Sequence, residues 1–157
     1  MDQKVKRRLI WWGTLILLFV LSYWREVLFR SVNAIMGGES TFYAKTTALP
    51  FLLDYSAQQL NQLKYILTAT FTSLFIGFTY MGIHWGIQNR LGLLLAKIIY
   101  GCCILIALII IGFGFLFLDF QTIYPFIRII IGWLHTPLIF LFISIIVHSS
   151  NSFDKKD

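Results

Sequence analysis

Four side chains carry the chemistry this chain could perform: Cys102, Cys103, Arg128 and His135. A thiolate beside a histidine is a nucleophile–base pair, and a nearby arginine could stabilise an oxyanion. Arg128 and His135 share one stretch, "RIIIGWLHTP", which closes on Pro137. Whether these groups can meet depends on the elements that carry them, and those elements are apolar throughout.

The chain has 157 residues, of which 58% are hydrophobic, 17% aromatic and 13% charged. Its mean hydropathy is +0.77. A soluble domain of this size must cover itself with polar side chains, so the composition points to an all-α membrane protein forming one integral membrane domain over 1–157. The net charge of +6 does not suggest nucleic acid, because the basic residues lie between apolar runs rather than on one soluble face. Cys102 and Cys103 are adjacent, so a structural disulfide between them is not expected, and no metal spacing is present. There is also no P-loop, zinc-type histidine pair or nucleophile elbow. No catalytic residue, metal or cofactor is therefore expected.

A bilayer core roughly 30 Å thick needs a helix of about 20 apolar residues. Four runs fit, at about 9–25, 65–85, 98–118 and 126–147, which predicts a four-transmembrane-helix bundle. The basic start at Lys4 to Arg8 resembles a signal peptide, but "SYWRE" offers no small-residue cleavage pattern, so a retained helix is expected. With the N-terminus inside, Lys4, Lys6, Arg7, Arg8, Arg90, Lys97, Lys155 and Lys156 are cytoplasmic. Arg25, Arg30, Lys45, Lys64 and Arg128 are then at the outer side, so both termini are predicted in the cytoplasm.

The loop at 26–64 is the longest connection. Within it "EVLFRSVNAIMGG" places Leu28, Val32 and Ile35 on one helical face, which predicts a short interfacial helix ended by Gly37 and Gly38. Ser56 followed by Gln59 reads as a capping box, with Tyr55 and Leu60 spaced for a hydrophobic staple, so the next helix should start near Ala57. Ala69, Ser73 and Gly77 recur every fourth residue, a pattern that predicts an internal helix-packing face. Trp11, Trp12, Trp24 and Trp85 fall near span ends as membrane anchors.

Depth separates the reactive groups. At 1.5 Å per residue, Cys103 lies roughly 22 Å below the outer end of its helix and His135 roughly 14 Å below. Arg128 lies within one turn of that end, so the groups do not converge on one small substrate. Arg128 is instead placed to pair with Glu26 or Asp119 at the same level, or to snorkel to the headgroups. Pro137 should free the Trp133 carbonyl and kink the last span, with His135 or Thr136 taking up the freed group.

The order of motifs is similar to that of a known family. "RE" closes the first span and "VLF" follows; "LP" lies in the outer loop; "LKY" and "TATFTSLFIGFTY" follow in the second span. A tyrosine stands near the start of the third span, and "YPFIRIIIGWLHTPLIFLFISI" makes the fourth. The chain resembles the small exosortase-associated membrane proteins, of the exosortase F-associated type or a sister group. Arg30 and Ser31 follow Phe29 where that family continues with aspartate–proline, and Thr136 separates His135 from Pro137. The resemblance implies four spans in the bacterial inner membrane and a non-enzymatic accessory role beside a membrane exosortase, an enzyme that processes C-terminal sorting signals. It marks Arg25, Glu26, Leu28, Phe29, Pro50, Tyr65, Arg128, His135 and Pro137 as matched positions. The expected partners are the lipid bilayer and such an exosortase. Two alternatives stay open: a reduced exosortase-like cysteine enzyme, and a subunit of a small membrane transporter.

Overall fold

The computed structural model describes residues 2–36, 52–117 and 120–153. Among these, all regular structure is helical. Helix α1 spans Gln3–Met36, α2 spans Ala57–Met81 and runs on into π-helical turns at Gly82–Ile87, and α3 spans Arg90–Phe117. Two further helices, α4 (Phe120–Leu134) and α5 (Leu138–Phe153), follow among the described residues.

Two stretches, Ala57–Ile87 and Arg90–Gly114, are each long and apolar enough to cross a membrane. Counting α4 and α5 as one broken span, bent by 55°, makes three. Helix α1 has the length but not the sustained apolarity, because Lys4 to Arg8 and Arg25 to Arg30 dilute its apolar stretch at both ends. In the Arg90–Gly114 stretch only 11% of the most apolar window is buried. Leu105, Leu108 and Ile109 point outward. Such a surface suits lipid tails, and the helices satisfy their own backbone groups within it.

The interfacial helix expected after Trp24 is not a separate element. Helix α1 continues unbroken through Arg25 to Met36. No glycine or proline interrupts that segment, and Arg30 Nε donates to Glu26 Oε1 one turn earlier at 2.7 Å. The predicted apolar face does pack: Val32 is buried with Leu52 and Leu60, and Ile35, Met36 and Leu63 close around them. The loop is accordingly shorter than 26–64. Gly37 and Gly38 lie outside the described residues.

Helix α2 begins where the capping box predicts. Gln59 N donates to Ser56 Oγ at 3.3 Å, and Ser56 N donates to Gln59 Oε1 at 2.9 Å. Tyr55 is exposed, while Leu60 is buried against Val32 and Leu52.

The buried face of α2 is Phe71, Phe75 and Thr79. The Ala69, Ser73 and Gly77 face is exposed, and a Cβ added to Gly77 would meet nothing within 4 Å. The expectation of an internal packing face there is therefore wrong. Gly77 is two residues from Phe75, about 200° around the helix, so the two stripes cannot both face the core. Close approach occurs one turn further on. A Cβ at Gly82 would come within 2.5 Å of Thr14 Cγ2 and 2.9 Å of Phe140 Cε2. At Gly86 it would lie 3.4 Å from the Trp11 backbone nitrogen. These two glycines, four residues apart, let α1 and α5 cross the π-helical turns. Trp11 Nε1 donates to Ser144 Oγ at 3.0 Å and ties α1 to α5 at that crossing.

Candidate functional site

The 55° bend carries His135. Thr136 N reaches the Trp133 carbonyl at 3.2 Å and Thr136 Oγ1 donates to it at 2.8 Å. Of the two residues placed to take the carbonyl freed by Pro137, it is Thr136 that does so. His135 turns the other way, into the core, with no exposed surface. Its ring stacks on Phe75 with centroids 5.6 Å apart and lies 6.4 Å from Phe71.

His135 Nε2 is 2.7 Å from Thr72 Oγ1, whose hydroxyl donates to the Thr68 carbonyl at 2.8 Å. One hydroxyl proton cannot serve both, so with the proton on the carbonyl the imidazole carries its own on Nε2. Nδ1 is then an acceptor, and it is buried with no hydrogen-bond partner among the described residues. A bare lone pair is a smaller burden in an apolar core than a bare N–H. The pair clamps the bend between α4 and α5 onto α2.

Cys103 packs at the edge of the main core, and Cys102 is exposed. No hydrogen bond joins either sulfur to His135 or Arg128 among the described residues. The expectation that Arg128 lies within one turn of its helix end is not met, because α4 already starts at Phe120, eight residues before it. Among the described residues no group of three His, Cys, Asp or Glu side chains could hold a metal.

Arg128 lies near the middle of α4, exposed, and lines a cavity of about 330 Å³. Arg25, Phe29 and Lys64 line the same cavity. Of the placements left open for Arg128, the pair with Glu26 does not form. Glu26 is held by Arg30 at 2.7 Å on its own helix and touches Arg25 at 3.9 Å, and the one-turn spacing favours the local partner. Asp119 lies outside the described residues, and so does a pairing with it. Arg25 is packed over the Phe29 ring, its Cζ 5.4 Å from the centroid.

Of the sequence-marked residues, Arg25, Phe29, Tyr65 and Arg128 thus come together at the cavity, whereas His135 and Pro137 belong to the bend. Lys64 is the member that sequence reasoning missed. Its signal was present: one basic residue early in α2, at the level of Arg25 and Arg128. The glycine pair Gly82 and Gly86 also went unread, although its four-residue spacing is the ordinary mark of close helix approach. Compared with known proteins, the chain matches no family model, no curated protein and no solved structure.

Proposed function

We propose that the chain is a non-enzymatic, multi-pass accessory protein of the bacterial cytoplasmic membrane, with four spans and both termini inside. It acts by helix–helix contact with a membrane sorting enzyme of the exosortase kind. The observation that carries this reading is the open Ala69, Ser73 and Gly77 face on a long apolar helix, where Gly77 has no neighbour. Small residues at four-residue spacing let a second helix approach closely, and the chain's own helices leave that face vacant. The motif order from Arg25 to Pro137 supports the choice of partner.

Co-purification in mild detergent tests the reading. An exosortase should be retained with the wild-type protein and lost with Gly77→Phe, while helicity and thermal stability are not reduced. If no exosortase is encoded beside the gene or retained on the protein, the reading fails. Replacing Cys102 and Cys103 by alanine together should leave sorting of exported substrates intact; lost sorting would favour the thiol-enzyme alternative.

A further inference from the structure

The cavity beside Arg128 brings together three cations from three helices: Arg25 of α1, Lys64 of α2 and Arg128 of α4. No carboxylate among the described residues lines it. Arg128 is close enough to repel both Arg25 and Lys64. Like charges gathered between apolar helices are costly unless an anion sits between them. Among the described residues Glu26 is the carboxylate beside Arg25, at 3.9 Å, and it is already held by Arg30.

Arg25 supplies a second observation. Its side chain is 19% exposed, and its Nε is buried with no hydrogen-bond partner among the described residues. Stacking on Phe29 holds the guanidinium at the cavity wall, and its remaining exposed surface is the part an oxyanion can reach. The walls are of two kinds. Asn33 and Asn61 add amides that can donate, while Ile111, Ile127 and Ile131 form an apolar side. A free inorganic anion has no use for that apolar wall; a headgroup with an acyl tail uses both.

We propose that Arg25, Lys64 and Arg128 form a binding site for the phosphate of an anionic phospholipid, with the isoleucine wall taking the start of its tail. Basic pockets between membrane helices hold anionic headgroups by this combination of charge and apolar contact. The site does not depend on the sorting-enzyme reading, because it needs no protein partner.

The test uses the full chain, delipidated in mild detergent, titrated with dioctanoyl phosphatidylglycerol, dioctanoyl phosphatidylcholine or inorganic phosphate. Native mass spectrometry and thermal shift are the readouts. Saturable binding of the phosphatidylglycerol is expected. Arg128→Gln and Lys64→Gln should each weaken it roughly ten-fold, the loss of one charge-assisted contact. Arg8→Gln, which removes a cation outside the cavity, should leave it unchanged. Arg128 is exposed, so its replacement should not disturb folding, and unchanged helicity checks this. Equal binding of the phosphatidylcholine, an equal loss in Arg8→Gln, or inorganic phosphate binding as tightly as the lipid would each overturn the site.

Discussion

Gly77 and Gly82 lie five residues apart on one continuous helical run, and they live in opposite surroundings. Gly82 is buried where α1 and α5 cross, with Thr14 and Phe140 against it. Gly77 is exposed, and nothing approaches it. The same residue type thus serves a finished contact in one place and an open face in the other. Helices in lipid gain little from burying apolar area, because tails are as apolar as leucine, so close fit decides which faces join. Among the described glycines the tightest approach lies at the crossing near Trp11, while the Ala69, Ser73 and Gly77 face stays open.

That contrast can be broken by substitution, with unfolding followed by titrating a denaturing detergent into a mild one. The largest effect is expected at the packed face. Phe75→Ala removes a fully buried ring from beneath His135 and should cost about 3 kcal/mol, mostly lost packing. Gly82→Ala should cost about 1–3 kcal/mol, since Thr14 and Phe140 must move to admit a methyl group. A wild-type midpoint for that variant would mean the crossing is looser than described.

Thr72→Val keeps the shape but leaves His135 Nε2 buried without its partner, and should cost about 1–2 kcal/mol. No loss of stability there would show that the imidazole has another partner. The smallest change should have the opposite sign. Gly77→Ala meets no neighbour and improves helix propensity, so about 0.5–1 kcal/mol of stabilisation is expected in the isolated chain. Destabilisation at Gly77 would mean that this face is packed after all, and the contrast with Gly82 would collapse.

Much of the local structure was legible before the fold. The capping box at Ser56 and Gln59, the start of α2 at Ala57 and the break at Pro137 follow from backbone chemistry confined to a few residues. The apolar face of Leu28, Val32 and Ile35 was legible as a face, but its continuity with α1 was not. Length and polarity suggested a separate element, yet nothing between Trp24 and Glu26 stops a helix. The candidate site was half legible. Arg25, Phe29, Tyr65 and Arg128 were marked in advance, but Lys64 joined them only once α2 was laid beside α1 and α4.

The sequence by itself determined the material of this protein: long apolar helices, their caps, their kink and the basic residues at their ends. All of that rests on composition and on contacts within about four residues. Tertiary structure alone decided which stripe of α2 faces inward. Phe71, Phe75 and Thr79 share a four-residue spacing with Ala69, Ser73 and Gly77, and both stripes are tolerable against lipid. It also decided that Glu26 belongs to Arg30 and that three cations share one cavity. Periodicity specifies a face; only the fit of a neighbouring helix says which face is used.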